Sequence, residues 1–337
     1  MTTELTTNES GADETHQPAA DEPLRFPFNQ RAFCRYEPIE KRIEAARVLV
    51  VDDLLRDERD VSDVARAELG RSLKANINRE RQIATLAVEN IVNNIERLVQ
   101  KPQTHVAHIS EVKEAAEAFQ PDAIVLSGTL SDFDYYNPEL LDDFARFIRE
   151  TKTGVLGICG GHQLVGRSFG ARVLTLDNLE QSERRKRKLY EYQYRFVRIS
   201  APDDPIFCGI HDSESGVWQD YTTEARILRV WQNHGLQLDS VPEGFQLLAT
   251  SYLCRNQMMV RRDEGQLIYT VQFHLEKSFE DWYKSRTFGG TRWEHPNESR
   301  DGRIIFENFL RAALEHAGKI AAACPLPESD AALVPVP

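Results

Sequence analysis

The chain has 337 residues, of which 41% are hydrophobic and 28% are charged, and its formal net charge at pH 7 is -12. This composition is ordinary for a soluble globular protein and excludes global disorder as a starting hypothesis. The negative charge argues against a nucleic acid or an anionic membrane as a partner, because phosphate groups attract basic surfaces. No apolar segment reaches the length of a membrane span, and the first residues lack the features of a secretory signal, so we expect a cytoplasmic protein.

The two ends of the chain differ in composition from its middle. Residues 1–24 are polar, acidic and short of large apolar groups, and residues 321–337 have a similar character. Segments of this kind cannot bury enough apolar surface to offset the entropy lost on ordering, so both are predicted to be disordered tails. Residues 25–320 are predicted to form a single domain.

Between the tails, short apolar runs alternate with helical patterns. In chain order, the first four runs are residues 47–51, 104–109, 123–127 and 154–158. Their β-branched content and their lack of polar alternation indicate strands buried on both faces. The segment 138–150 carries apolar residues on one helical face, and another helix is predicted to begin at Gln163 and to stop near Gly170.

The rest of the chain continues this alternation. Further strands are predicted at residues 193–199, 224–231, 246–251, 258–261 and 267–273, and a closing helix at 303–316. The charged segment 52–103 predicts one long helix or two stacked helices without residues that suggest chemistry. The basic run 184–188 is interpreted as a solvated loop or strand edge, with contact to a phosphate or an acidic partner as the alternative. Together the elements are typical of an α/β fold with a mainly parallel central sheet flanked by helices.

The cysteines point to one reactive thiol. All five are widely spaced and none belongs to a CxxC pair, so neither a disulfide framework nor a metal site is indicated. Residues 154–163 read GVLGICGGHQ, in which Gly157 and Gly161 flank Cys159 as in a strand-to-helix elbow. Such a turn strains the backbone at the nucleophile and leaves no room for side chains beside it. It also places Cys159 at a helix N-terminus, where the dipole favours a thiolate.

A base for this thiol is predicted at the end of the last strand. The strand predicted at 267–273 runs directly into His274, and Glu276 follows two residues later. In an extended backbone, residues two apart lie on the same face, so Glu276 can orient His274 while the imidazole faces Cys159. These three residues form the candidate catalytic triad.

These motifs resemble those of the class I glutamine amidotransferases, which pair a Gly-Ile-Cys-x-Gly-x-Gln elbow with a Phe-His-Pro-Glu segment. Two further stretches are similar to family landmarks: Ser127-Gly128 to its oxyanion loop, and Asn233-His234-Gly235 to a later motif. The segment 302–310, GRIIFENFL, looks like the closing helix of the family. The resemblance covers most of the domain and implies a flavodoxin-like fold with a cysteine nucleophile elbow.

The resemblance also implies roles for individual residues. Cys159 would attack the amide carbonyl of glutamine, His274 would move the proton, and Glu276 would hold His274. The oxyanion hole would be formed by the backbone of Gly160 and of Thr129 in the loop that includes Gly128, while Gln163, Asn233 and His234 would contact the substrate. The chemistry needs no cofactor or metal.

This chain departs from the family pattern in its oxyanion loop and in its length. Thr129 and Leu130 stand where the family has glycine and proline, and threonine tolerates fewer backbone angles. We therefore expect a hole that forms only with a partner, or one that is shaped for another γ-glutamyl compound. Leu275 replaces a proline without removing either side-chain role. Extra residues at about 52–103 and 278–300 are interpreted as insertions that cover an edge, form a lid or bind a partner.

Three functions agree with these residues. The leading hypothesis is a glutaminase that supplies ammonia to a separate synthase or ligase. The alternative is a free-standing γ-glutamyl hydrolase or transferase acting on another γ-glutamyl amide or peptide, which the altered loop at Thr129 and Leu130 favours. A non-catalytic regulatory protein on the same fold is a third hypothesis, and the intact triad argues against it.

Overall fold

The computed structural model describes residues 41–210, 227–276 and 300–321, all within one unit of the chain, Arg35–Pro337. The predicted tail at 1–24, nearly all of the tail at 321–337 and all but the last residue of the insertion at 278–300 lie outside these residues. The same is true of the start of the strand predicted at 224–231. The predictions for those segments stay predictions.

A nine-stranded sheet and a separate strand pair form the centre of the described chain. The strands are β1 Ile43–Asp52, β2 Val99–His108, β3 Ala123–Leu126, β4 Gly154–Ile158, β5 Val173–Thr175, β6 Glu191–Ile199, β7 Ile227–His234, β8 Leu236–Leu238, β9 Gln246–Thr250, β10 Met258–Arg261 and β11 Ile268–Val271. The large sheet has the strand order β2-β1-β3-β4-β11-β10-β9-β6-β7. Its neighbouring strands are parallel from β2 to β11 and antiparallel from β11 to β7. The separate antiparallel pair consists of β5 and β8.

Helices cover both faces of this sheet and give it two apolar cores. The helices are α1 Asp63–Leu69, α2 Leu73–Leu98, α3 Val112–Phe119, α4 Pro138–Glu150, α5 Gly160–Ser168 and α6 Arg300–His316. Helix α6 and the end of α2 pack on one face, whereas α3, α4 and α5 pack on the other. None of the helices in the described ranges is both long and apolar enough to cross a membrane. The architecture confirms the predicted α/β class.

Helix α2 passes from one face of the sheet to the other. Its first turns place Leu73 and Ile77 in the core beside α4, and its last turns place Ile91 and Ile95 in the core beside α6. The middle of the 26-residue helix must therefore pass across the ends of the strands. These are the carboxyl ends of the parallel strands, where α/β proteins form their sites.

The structure changes several predicted boundaries. Strand β2 begins at Val99, so the segment 52–103 contains two helices and the start of a strand. Its pattern is polar because β2 is an edge strand, and an edge also tolerates Pro102, which cannot donate a ladder hydrogen bond. Helix α5 begins at Gly160, directly after the elbow, rather than at Gln163. Strand β11 ends at Val271, before the predicted Phe273.

One close contact between β4 and α6 generates a prediction about stability. A Cβ atom added at Gly154 would lie 2.8 Å from Cβ of Ala313 and 3.2 Å from its Cα. Overpacking of a buried site typically costs about 1–3 kcal/mol, so Gly154→Ala should lower the free energy of unfolding by that amount. Urea denaturation measures the loss. The double variant Gly154→Ala/Ala313→Gly should recover part of it, and additive losses from the two substitutions would contradict the assigned contact.

Candidate active site

Cys159 occupies a strained turn between β4 and α5. Its backbone angles are φ 53° and ψ -100°, and positive φ is uncommon for a residue with a side chain. The turn is held on both sides, because the Cys159 amide donates to Val271 O at 2.8 Å and Cys159 O accepts from the Gln163 amide at 3.1 Å. Strain of this kind persists only where the surroundings impose it. The predicted elbow is therefore present at the predicted residue.

Glycines make room for this turn. A Cβ atom at Gly157 would lie 2.8 Å from the carbonyl carbon and oxygen of Gly161, and one at Gly161 would lie 2.7 Å from Cβ of Leu126. At Gly160 it would lie 2.3 Å from the backbone nitrogen of Thr129. Helix α5 thus packs directly against β3, β4 and the loop after β3, with no space for side chains at the three positions.

His274 and Glu276 form a buried hydrogen-bonded pair beside Cys159. The His274 Nδ1 atom lies 2.7 Å from Glu276 Oε1, and the His274 amide donates to Trp231 O at 2.8 Å. A methyl group at Gly128 would lie 3.6 Å from Cε1 of His274 and 3.7 Å from Cβ of Cys159, so both side chains flank the same glycine. The side-chain pairing is present although strand β11 has already ended.

The electrostatics of this pair favour an imidazolium. Burial is the largest single influence and disfavours the charged ring, but the Glu276 carboxylate and the Cys159 sulfur together outweigh it. They raise the pKa of His274 to about 10. The buried His162 ring behaves in the opposite way, because burial, with a contribution from His234, lowers the pKa of His162 to about 3.

The loop after β3 is anchored at both of its ends. Ser127 Oγ accepts from the Asp53 amide at 3.0 Å, and Ser131 Oγ donates to the buried carboxylate of Glu80 in α2. Among the described residues, positive φ values of residues other than glycine occur at five positions, and Thr129 is not one of them. Thr129 therefore does not have the positive φ that favours glycine, and the expectation of a hole that forms only with a partner or suits another γ-glutamyl compound stays a prediction.

A cavity of about 470 Å³ contains the pair and the cysteine. Every predicted site residue except Gly160 lines this cavity, and Gly160 is packed against Thr129. Part of its lining is polar, with contributions from Asn233 and from two arginines. The apolar lining residues, named here the apolar wall, are Leu54, Ile83, Leu86, Ala87 and Leu130.

The two arginines come from the basic run 184–188, for which they realise the predicted alternative of an acidic partner rather than the leading prediction of a solvated loop. Arg185 donates to Glu68 and Asp134 at distances of 2.8–2.9 Å, and Arg187 pairs with Asp132. Only 6% of the Arg187 side chain is exposed. The run looked solvated because the acidic partners of Arg185 and Arg187 lie more than 50 positions away in the sequence.

Two of the predicted substrate contacts have their polar atoms engaged inside the protein. The His234 ring places Nδ1 2.8 Å from Leu236 O and Nε2 3.0 Å from Glu191 Oε2. The Gln163 side-chain amide donates to Leu236 O at 3.2 Å and to Gln272 Oε1 at 2.9 Å. In this arrangement His234 Nδ1 and both N–H groups of the Gln163 side chain are engaged within the protein, and His234 Nε2 is buried beside the Glu191 carboxylate. Asn233, in contrast, is exposed on the cavity wall.

Three polar residues at the site did not emerge from the sequence. Gln272 donates to Cys159 Sγ at 3.7 Å, Asn94 of α2 donates to the backbone carbonyl of Glu276 at 2.6 Å, and Glu80 holds Ser131. Gln272 could have been found from its place two residues before His274. Asn94 and Glu80 carry no such local signal. In the ranges that the structure describes, His, Cys, Asp and Glu form no group of three suited to a metal ion.

Comparisons with known proteins agree on one family. A family model described as glutamine amidotransferase class-I matches residues 83–288. The chain is 24% identical to one of the subunits of the glutamine-hydrolysing GMP synthase of Methanothermobacter thermautotrophicus, over 63% of this chain and 86% of the relative. It is 31% identical to the protein of the same name from Thermococcus kodakarensis, over 48% and 70%. A crystal structure of a glutamine amidotransferase from Thermotoga maritima aligns with 80% of this chain and 98% of that one, at 18% identity and a TM-score of 0.45.

The charge state of His274 can be tested directly. Its pKa lies above the ordinary value of 6.5, so its protonation stabilises the fold fully below that pH and the contribution is lost as the pH rises toward 10. NMR titration of the imidazole signals should show a charged ring at neutral pH in the wild type. Glu276→Gln should lower the midpoint, while the His162 ring stays neutral throughout. A His274 that is neutral at pH 8 in the wild type would contradict the described electrostatics.

Proposed function

The chain belongs to the class I glutamine amidotransferases, and on that premise we propose that it hydrolyses the side-chain amide of glutamine through a thioester on Cys159. The observation that carries the proposal is the hydrogen bond of 2.7 Å between His274 and Glu276 beside the strained turn of Cys159. A thiol nucleophile needs a base within reach and a group that orients the base. A retained triad of this kind also supports an enzyme rather than a non-catalytic regulatory protein.

In the first half-reaction, the Cys159 sulfur attacks the amide carbon of glutamine and the carbonyl oxygen becomes an oxyanion. The backbone amides of Gly160 and Thr129 are the proposed donors to this oxyanion, because they come from adjacent backbone segments beside the nucleophile. The His274 imidazolium then gives its proton to the leaving nitrogen. The C–N bond breaks, ammonia leaves and a γ-glutamyl thioester remains on Cys159.

In the second half-reaction, water attacks the thioester carbonyl. His274, which is now neutral, takes a proton from this water, and Glu276 stabilises the imidazolium that forms. The C–S bond breaks, so glutamate leaves and the thiolate returns. The same two amides stabilise the second oxyanion, and no group other than water is consumed.

We propose that the ammonia is used by a separate synthase or ligase. The relatives from M. thermautotrophicus and T. kodakarensis are named as subunits of a glutamine-hydrolysing GMP synthase, and a protein of that kind works together with another chain. The identities of 24% and 31% support this division of labour without identifying the ammonia acceptor for this chain. The expected compartment is the cytoplasm, where such a partner would be available.

The triad assignment predicts a graded set of kinetic losses. Cys159→Ser should abolish glutamate release, and His274→Ala should lower kcat by about a thousandfold or more, since the proton shuttle is lost. Glu276→Gln should cost less than His274→Ala, because the carboxylate orients and charges the ring but transfers no proton. Glutamate release by the purified variants is measured with their circular dichroism as a folding control. Near-normal turnover by folded Cys159→Ser would refute the assignment.

A second candidate substrate is favoured by the shape of the cavity. Apolar residues such as Ile83, Leu86 and Leu130 line the same cavity as Cys159, and ammonia as a leaving group has no use for an apolar surface. Such a wall suits an N-substituted γ-glutamyl amide whose amine carries an apolar group. The same thioester chemistry would then release an amine instead of ammonia.

Substrate preference separates the two candidates. We expect kcat/KM to be higher for glutamine than for a γ-glutamyl anilide, and Leu130→Ala to leave the glutamine value within about threefold of the wild type. A preference for the anilide that Leu130→Ala or Ile83→Ala lowers by about tenfold would establish the second candidate instead. Both substrates are assayed on the same preparation by glutamate release, so protein quality does not affect the comparison.

A further inference from the structure

A chain of buried amide groups leads from the cavity wall to the sulfur of Cys159. The Gln163 side-chain nitrogen donates to Leu236 O at 3.2 Å and to Gln272 Oε1 at 2.9 Å. The Gln272 side-chain nitrogen in turn lies 3.7 Å from Cys159 Sγ, within hydrogen-bond range for sulfur. Gln272 is fully buried and Gln163 is 2% exposed, so water does not compete freely for these bonds.

The direction of every bond in this chain is fixed by its first member. The carbonyl of Leu236 can only accept, so the Gln163 side chain must present its NH₂ group there. That NH₂ group also faces Gln272, which must therefore present its oxygen. The opposite orientation of Gln272 would set two donor groups against each other. The amide nitrogen of Gln272 is consequently the atom turned toward the sulfur.

We infer that Gln272 is a further catalytic residue, whose side-chain amide donates a hydrogen bond to the sulfur of the nucleophile, and that Gln163 is the positioning residue that fixes this donor. The inference rests on the proposed function in one respect, namely that Cys159 is the nucleophile. It assigns Gln163 to the support of the nucleophile, where the family resemblance implied a contact with the substrate.

This donor acts on the charged form of the sulfur. A hydrogen bond to an ionised group is roughly twice as strong as one between neutral groups, so the donor favours the thiolate over the thiol. In the proposed reaction the sulfur carries negative charge as it attacks and again when the C–S bond of the thioester breaks. Gln272 therefore stabilises the attacking thiolate and the departing thiolate, and it has less effect on the neutral thioester between them.

Other titratable groups near the sulfur do not duplicate this role. His274, with Glu276 behind it, supplies the positive charge and moves protons. Cys254 is buried, its Sγ donates to Asn256 O at 3.3 Å, and burial raises the pKa of its thiol, so it stays neutral. The remaining charged or titratable groups that line the same cavity are Arg185, Arg187, Asp132, Tyr190 and His234.

The test is the pH dependence of Cys159 alkylation by iodoacetamide without substrate, followed at the Cys159 peptide by mass spectrometry. Hydrogen bonds to charged groups are worth about 1.5–3 kcal/mol, and about 1.4 kcal/mol corresponds to one pH unit. Gln272→Met should therefore move the alkylation midpoint up by about one to two units and lower kcat about tenfold or more, with little change in KM. Gln163→Met should shift the midpoint in the same direction by a smaller amount.

A buried glutamine elsewhere provides the matched control. The Gln266 side chain is 3% exposed and donates to the carbonyls of Ile148, Arg149 and Thr151. Gln266→Met removes a buried amide as Gln272→Met does, so it should lower the melting temperature but leave the alkylation midpoint unchanged. If Gln272→Met does not fold, the near-isosteric Gln272→Glu replaces the donor with a carboxylate and should raise the midpoint further.

Two results would overturn the inference. One is a folded Gln272→Met protein with the alkylation midpoint and kcat of the wild type. The other is an equal shift in Gln266→Met, which would show that any lost buried amide has the same effect. Because the alkylation assay uses no substrate, a midpoint shift combined with no glutamine hydrolysis by the wild type would refute the proposed function and leave the Gln272 donor established.

Discussion

The site depends on the close packing of helix α5 against the loop and strands around it. Cys159 keeps a positive φ angle of 53° because its neighbours leave it no alternative. The contacts at Gly157, Gly160 and Gly161 are very short. A Cβ atom added at any of them would lie within 3 Å of backbone atoms or of the Cβ atom of Leu126. This packing sets Gly160 against the backbone of Thr129, and the sulfur of Cys159 lines the cavity. Catalysis by preorganised groups requires this kind of fixed geometry.

Helix α2 links the two halves of the site. Through Glu80 it holds Ser131 at the end of the loop that carries Thr129, and through Asn94 it holds the backbone of Glu276. Its side chains at Ile83, Leu86 and Ala87 also form part of the apolar wall of the cavity. The segment 52–103 therefore has more than the covering role that its composition suggested. A helix that contacts both the loop after β3 and the proposed triad is well placed to influence which substrate the cavity accepts.

The sequence predicted most of the fold and the three residues of the proposed triad, because those features depend on local patterns. Apolar runs mark buried strands, and the glycines around Cys159 mark a turn that only they permit. The contact between His274 and Glu276 was predicted from an extended backbone and is present although β11 ends at Val271. The spacing of two residues was therefore sufficient without a continuous strand.

Contacts between distant residues could not be predicted in the same way. Asn94 and Glu276 are 182 positions apart, and Arg187 and Asp132 are 55 positions apart, so no local pattern relates them. The roles first given to His234 and Gln163 came from resemblance, which does not show that Glu191, Leu236 and Gln272 already engage their polar atoms. The φ angle of Thr129, which is not positive, likewise follows from the path of the whole loop and not from residue type.

The central claim is that Cys159 is the nucleophile for a γ-glutamyl carbonyl. The most direct measurement is peptide mapping after reaction with a glutamine-like diazoketone, which alkylates a thiolate with loss of nitrogen. The account predicts one adduct per chain on Cys159, formed more slowly in the presence of glutamine. Preferential labelling of the exposed Cys208, or labelling of Cys159 that glutamine does not slow, would contradict it.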